Sequence, residues 1–296
     1  MIVTVTGSLG NVGRTLTEKL IAKGHTVKVV TSNPGRSEEI RALGAVPMVG
    51  SVHDYEFVKR AFEGSDAVYL MIPPDYHAPD IKQYIKTIGR QYADALRETG
   101  VRLAVNLSSI GAHLEDGLGP TGANFYVEQQ LNKLQLHILH LRSGMFMTNF
   151  YGAMPMIQYQ GIIGNNFNGS ADLPLTHPRD IAEAAFRAID DFSVSGKQVQ
   201  YVVGDVKNGE QVARALGAAI GKDDVYWVEF SDKQLLEALM HDGFSQSMAQ
   251  VYIIEIGMAI RDGSFAEDYQ KQQQQPVGGV TLDEFSREFS AARLPA

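Results

Sequence analysis

The sequence contains no cysteine. Disulfides, thiolate metal sites and a cysteine nucleophile are thereby excluded. It has one tryptophan in 296 residues and no block of basic residues: Lys and Arg number 26 against 34 Asp and Glu, a net charge of −8. A chain that grips nucleic acid regardless of sequence carries a basic stripe. None is present, so no direct nucleic-acid partner is expected. No apolar run approaches the ~20 residues that span a bilayer, so no membrane partner is expected either. Metal-ligand spacings, internal repeats and a GxSxG elbow are also missing. Strand-like residues begin at Ile2, which leaves no room for a leader and sets the expectation of a cytoplasmic protein. What remains is a chain, 44% hydrophobic, long enough to bury a substantial core.

The first twenty-odd residues organise the rest. Ile2, Val3 and Val5 read as a short buried strand. Gly7, Gly10 and Gly13 follow, within Thr6-Gly7-Ser8-Leu9-Gly10-Asn11-Val12-Gly13. Val12, Leu16 and Leu20 then fall four apart, on one face of a helix, and Gly24 marks its stop. In a strand–turn–helix of this kind the first glycine permits the sharp exit from the strand. The second lets a diphosphate approach the backbone, and the third lets helix and strand pack closely. The N–H groups and dipole of the helix start favour the anion. The spacing is GxxGxxG, with Ser8 where the commoner GxGxxG has glycine. Gly7, Leu9, Gly10, Asn11, Val12 and Gly13 are therefore the candidate diphosphate-binding residues.

Thr26–Thr31 reads as the second strand. The residue closing this strand meets the adenosine ribose, where an acid selects the 2′-hydroxyl and a cation tolerates a 2′-phosphate. Here the segment runs Thr31-Ser32-Asn33-Pro34-Gly35-Arg36, with no carboxylate before Glu38. Ser32, Asn33 and Arg36 become cofactor-binding candidates, and the preference leans to NADP(H) over NAD(H). A solvated cation explains Arg36 nearly as well. Strands at 45–49, 66–72 and 103–107 alternate with helices, one capped by Asp54 and one over 81–96. The pattern is α/β, a doubly wound parallel sheet. Ligands sit outside the carboxyl ends of such strands, so Ser51, Val52, Ile72, Pro73, Pro74 and Ser108 should face the cofactor. Tyr76 and His77, on the loop after the fourth strand, are within reach of a substrate, although surface loop residues without a role are commoner.

Thr6-Gly7 with Gly10 and Gly13, Ser108-Ser109, and Leu141-Arg142-Ser143-Gly144-Met145-Phe146-Met147-Thr148-Asn149-Phe150 resemble the NmrA-like group of atypical short-chain dehydrogenases. Pro178-Arg179-Asp180-Ile181-Ala182 and Thr281-Leu282-Asp283-Glu284-Phe285 are similar to later segments of that group. The resemblance covers essentially the whole chain, with Ser143 in place of a usual proline. It implies a Rossmann-like region over 1–150 and a smaller α+β substrate or lid region over 151–296, part of which, around 176–206, returns to the main sheet. The group includes NADPH-dependent quinone reductases and NADP-sensing regulators. The implied partner is thus a small-molecule acceptor such as a quinone, and a homodimer or a protein partner is compatible with it.

One departure matters. Short-chain dehydrogenases use Tyr-xxx-Lys, the tyrosine passing a proton and the lysine holding the ribose and lowering the tyrosine pKa. Here Tyr126 is followed four residues on by Gln130, and no lysine occurs between Arg102 and Asn132. Asn124 falls where the NmrA-like pattern often has lysine or histidine. Tyr126 and Asn124 are the catalytic candidates, with an amphipathic-helix role for Tyr126 equally open. Reduction of an electron-poor, flat acceptor tolerates the missing pair, since solvent can deliver the proton. Residues 144–164 are rich in Met, Phe and Tyr, and the resemblance tips Met145 and Phe146 toward a substrate pocket. An ordinary core or lid explains the same residues. Further on, Asp180 reads as the cap of a helix over 181–189. The glutamine-rich stretch 270–275, with Pro276 and Gly278, reads as a mobile linker.

Overall fold

A computed structural model describes residues 1–272 and 279–292. Strands and helices alternate from the start: β1 (Ile2–Val5), α1 (Gly13–Ala22), β2 (Thr26–Thr31), α2 (Ser37–Ala42), β3 (Val46–Val49), α3 (Tyr55–Phe62), β4 (Ala67–Leu70), α4 (Ile81–Thr99), β5 (Leu103–Ser109), α5 (Thr121–Asn132) and β6 (His137–Ser143). After a long excursion come α7 (Pro178–Asp190) and β10 (Lys197–Val202). These strands form one parallel sheet in the order β10–β6–β5–β4–β1–β2–β3. The order reverses between β1 and β4, which is where doubly wound sheets bind their ligands.

The local causes are plain in the residues. All four residues of β4 are buried, as a strand covered on both faces requires. On one face α3, α4 and α5 lay down Phe57, Phe62, Ile81, Ile85, Ile88, Tyr92, Leu96 and Val127. On the other α1 and α7 contribute Leu16, Leu20, Ile181 and Ile189. Asp54 caps α3 by accepting from the Phe57 N–H at 3.2 Å, and Asp80 caps α4 in the same way. Gly24, at φ +87°, ends the first helix in the left-handed conformation.

The excursion between β6 and α7 comprises β7 (Met145–Phe146), a 3₁₀ stretch (Met147–Ala153), α6 (Met154–Gln160), β8 (Ile162–Asn165) and β9 (Asp172–Thr176). After β10 the chain adds β11 (Asp205–Asn208), α8 (Gly209–Ala219), β12 (Tyr226–Glu229), α9 (Asp232–His241), α10 (Gln246–Ala249), a π turn (Gln250–Ile254), α11 (Glu255–Arg261), α12 (Glu267–Lys271) and α13 (Leu282–Ala291). Two small sheets, β11–β9–β7 and β12–β8, knit these pieces together. A third apolar cluster gathers Met147, Phe150, Met154, Ile157, Phe167, Phe285 and Phe289. Most of the Met- and aromatic-rich stretch after Gly144 is thus core.

Two expectations need correction or placing. Asp180 does not cap its helix: the helix begins at Pro178, and the Nδ1 of His177 accepts from the Arg179 N–H at 3.1 Å. Asp180 instead accepts from the Val280 N–H, clasping the start of the closing segment. The linker reading over 270–278 falls largely on residues 273–278, which lie outside the described residues. Among the described residues no helix is long and apolar enough to cross a membrane.

Candidate nucleotide site and its closed neighbour

The turn after β1 is pinned from both sides. The Thr6 N–H donates to the Tyr69 carbonyl at 3.1 Å, and the Ser8 N–H to the Val30 carbonyl at 3.0 Å. The Thr6 hydroxyl accepts from the Met71 N–H at 2.7 Å and lies 3.0 Å from the Met71 carbonyl. Thr6 thus stitches the exits of β1 and β4 together at the switch point. Gly7 has φ +84° and Ser8 φ +58°. Ser8 holds, without glycine's freedom, a left-handed conformation that costs a non-glycine residue about 1 kcal/mol or more.

The three glycines have different surroundings. A methyl at Gly7 would strike the end of the Met71 side chain, and one at Gly13 would collide with the Ser8 carbonyl oxygen. A methyl at Gly10 would touch only the Gly7 carbonyl oxygen, at 3.3 Å. Two glycines therefore serve the protein's own packing. The third leaves backbone uncovered on its open side. No side chain caps α1, so its first N–H groups are left to a ligand or solvent. Leu9 and Val12 are buried beneath the turn, and Asn11 is exposed.

The end of β2 approaches this turn. Arg36 extends its guanidinium to within 3.5 Å of the Ser8 hydroxyl. The Asn33 side chain accepts from the Gly35 N–H at 2.9 Å, shaping the loop that carries Arg36. Ser32, Asn33 and Arg36 are all exposed. Sequence reasoning missed a second cation here: Arg14, in the first turn of α1, pairs with Glu39 of α2. Its position directly after Gly13 was the available signal. Ser51 is exposed and Val52 buried beyond β3, and Ile72 and Pro73 are half-buried beyond β4. The Tyr84 hydroxyl donates to the Pro73 carbonyl at 2.7 Å and holds that loop in place.

The other end of the sheet edge is closed. Ser108 is buried, and its hydroxyl donates to Glu128 Oε1 at 2.6 Å. Arg142 grips the same carboxylate through Nε at 3.1 Å and Nη2 at 2.7 Å. Its Nη1 reaches Asp268 of α12 at 3.1 Å and the Tyr201 hydroxyl at 3.2 Å, and Tyr201 also donates to Asp268. Glu128 is 2% and Arg142 8% exposed. A buried pair of this kind persists only with its remaining donors and acceptors satisfied, which Ser108, Tyr201 and Asp268 do.

The candidate catalytic residues separate on α5. Asn124 lies one turn before Glu128, on the same face, half-buried, and its side chain makes no hydrogen bond among the described residues. Tyr126 projects on the opposite side toward α4, where Lys86 Nζ sits 5.8 Å from its ring centroid. Met145 packs against the C-terminal cluster and Phe146 against the α1–α7 cluster. Tyr76 and His77 are exposed on the loop before α4.

A parallel sheet of order 3-2-1-4-5-6 with a glycine turn at its switch point defines a dinucleotide-binding fold of the Rossmann type. Within that class the chain belongs to the NmrA-like family, whose model matches residues 1–256. Among solved structures it is similar to the NADPH-dependent quinone oxidoreductase QOR2 from Escherichia coli, complexed with NADPH (20% identity, 97% of this chain and 99% of that chain, TM-score 0.81). It is similar also to the Citrobacter triphenylmethane reductase complexed with NADP(H) (18%, 98% and 100%, TM-score 0.80). NmrA, a negative transcriptional regulator solved with NAD, matches at 18% identity over 97% of this chain and 94% of that chain, with a TM-score of 0.74. At these identities the likeness is one of fold. A 65-residue stretch is 32% identical to 4-hydroxy-2-methyl-3-oxo-4-farnesyl-3,4-dihydroquinoline-1-oxide ketoreductase from Stigmatella aurantiaca, and spans 20% of that protein and 22% of this chain.

Proposed function

We propose that this chain is a cytoplasmic NADP(H)-binding oxidoreductase that passes hydride to a quinone or similar flat acceptor without a Tyr-xxx-Lys pair. The observation that carries the reading is Gly10, where an added methyl would meet only the Gly7 carbonyl oxygen, at 3.3 Å, and no side chain covers the backbone a diphosphate would approach. The uncapped start of α1 and the guanidinium of Arg36 beside Ser8 fit a dinucleotide with a 2′-phosphate. NADPH, when bound, supplies the hydride. The chain's own residues do the rest. The glycine turn would hold the diphosphate, and Arg36, beside Ser8, would meet the 2′-phosphate. Thr6 and Tyr84 fix the loop from Met71 to Pro74 that borders the site. Asn124 has hydrogen-bonding groups left to orient a ribose or carboxamide, and it carries no charge with which to activate a tyrosine. Tyr126, turned to Lys86, is not placed to move a proton at the Ser108 end. Alcohol–ketone chemistry is therefore disfavoured relative to reduction of an electron-poor acceptor.

The test is loss of NADPH absorbance against a panel of quinones, with Gly10→Asp as control. Acceptor-dependent oxidation well above that control supports the reading, and equal rates reject it. A second reading, an NADP(H)-sensing regulator that binds a protein partner, is favoured by the same missing pair. Pull-downs with NADP+ and NADPH supplied separately distinguish it, because partner recovery that ignores the cofactor's oxidation state argues against sensing.

A further inference from the structure

The loop after β4 does not end in open solvent. Tyr76, 53% exposed, meets Phe244 edge-on with ring centroids 6.3 Å apart and planes at 80°. Phe244 follows Gly243, which has φ +91°, in the turn between α9 and α10. Tyr252, carried on the π turn, packs against the same apolar cluster as Phe244. Single π turns inside helices occur often at functional sites. Burial pushes the Tyr252 hydroxyl up to about 12, with Tyr84 and Tyr76 beside it adding to the rise.

This wall is firmly mounted. Ser247 accepts from the Ile81 N–H at 3.1 Å. Glu255 pairs with Lys82 at 2.6 Å and accepts from the Gly119 N–H at 2.9 Å. Asn166 takes the Ile254 carbonyl at 3.0 Å. The outer part is not so held: α9 buries none of its ten residues. Its start is fixed by Asp232, which Arg261 grips through two hydrogen bonds at 3.0 Å. Aromatic side chains carried by this anchored segment thus meet the exposed Tyr76 ring, six residues beyond the end of β4.

We propose that Tyr76 and Phe244, with Tyr252 packed against the same cluster as Phe244, are specificity-determining residues that take the ring system of a flat quinoid or aryl acceptor. Edge-to-face and offset-stacked arrangements of aromatic rings are close in energy, so a flat ligand replaces the Tyr76–Phe244 edge contact by stacking on the open face of Tyr76. An aliphatic acceptor of the same polarity gains nothing there. This inference rests on the reductase reading above for the chemistry, and its test does not need turnover.

Calorimetric titration of menadione into protein saturated with NADP+ measures the slot directly. Tyr76→Phe should bind as the wild type does. Tyr76→Leu and Phe244→Leu should each weaken binding about tenfold, at the upper end of an aromatic pair's contribution, with NADP+ affinity and melting temperature unchanged. The leucines preserve apolar bulk, so loss of fold does not imitate loss of the slot. A Tyr76→Leu/Phe244→Leu double variant that binds menadione like the wild type overturns the proposal, as does a wild-type protein that takes up none at millimolar concentration. NADPH oxidation separates the two ideas. Slot-dependent binding without oxidation supports the slot and rejects the reductase. Oxidation whose KM ignores both substitutions does the reverse.

Discussion

The two ends of the sheet's carboxyl edge solve opposite problems. At β1 and β2 the edge is made of backbone. A methyl at Gly10 would meet only the Gly7 carbonyl oxygen, α1 has no side-chain cap, and Arg36 reaches across from an exposed loop. At β5 and β6 the edge is made of charged and hydroxyl side chains that are already satisfied: Ser108, Glu128, Arg142, Tyr201 and Asp268 close on one another. One end is built to gain an anion, and the other has its anion built in. Substitutions at the closed end should therefore read out as stability, and those at the open end as ligand affinity.

The largest effect is expected at the closed end. Arg142→Leu leaves the Glu128 carboxylate buried without its partner, which should cost about 3–5 kcal/mol in denaturant unfolding, while the Glu128→Leu/Arg142→Leu pair recovers most of it. A single variant as stable as wild type would erase the contrast between the two ends.

The glycines divide the open end itself. Gly13→Ala drives a methyl into the Ser8 carbonyl and should cost about 3 kcal/mol of stability. Gly10→Asp should leave stability within about 0.5 kcal/mol while abolishing NADPH binding by calorimetry. Should Gly10→Asp instead unfold the protein, the open side of Gly10 is not a ligand surface.

The closed end also carries a pH signature. His140 is buried between Asn106 and Asn132, at 3.1 Å from each, and burial holds its pKa down to about 4 against an ordinary 6.5. The unfolded chain therefore binds a proton that the folded one refuses. Stability from this group is complete above pH 6.5 and is lost as pH falls toward 4, with a slope approaching about 1.4 kcal/mol per pH unit. His140→Asn should flatten the unfolding free energy across that window. An unchanged slope would assign the acid sensitivity elsewhere.

The smallest effect is at Arg36. Its exposed guanidinium should contribute roughly 1 kcal/mol to a 2′-phosphate. Arg36→Ala is thus expected to weaken NADPH about fivefold and leave NADH unmoved. Equal losses for both nucleotides would remove Arg36 from cofactor selection and turn attention to Arg14.

Much of the open end was legible because its signals are local. Strand, glycine and helix follow one another within Ile2 to Ala22, and the alternation of 26–109 dictates the parallel sheet. The closed end was not legible, because its partners are 14, 59 and 126 residues apart and no spacing announces them. Strands β8 and β9 went unseen because β8 lies at the end of the Met- and aromatic-rich stretch read as core or pocket, and β9 is interrupted by Pro174. Asp180 misled because aspartate commonly caps helices, whereas His177 fills that place and frees Asp180 for Val280. The phase of α5 was equally opaque. The helix alternates weakly between apolar and polar faces, so only three dimensions show Asn124 on the Glu128 side and Tyr126 under Lys86.

The position of β10 sets a timetable. Six strands of the main sheet are complete once Ser143 has been synthesised, yet the seventh arrives only after residues 144–196 have been threaded through β7, β8 and β9. Phe285 and Phe289, which finish the third cluster, emerge later still. On a ribosome adding about 5–20 residues per second, the nascent chain spends seconds with the outer edge of β6 unpaired and the apolar residues of 147–175 uncovered. An unpaired strand edge and exposed apolar surface together favour misassembly, and slowing translation past residue 143 would lengthen that interval.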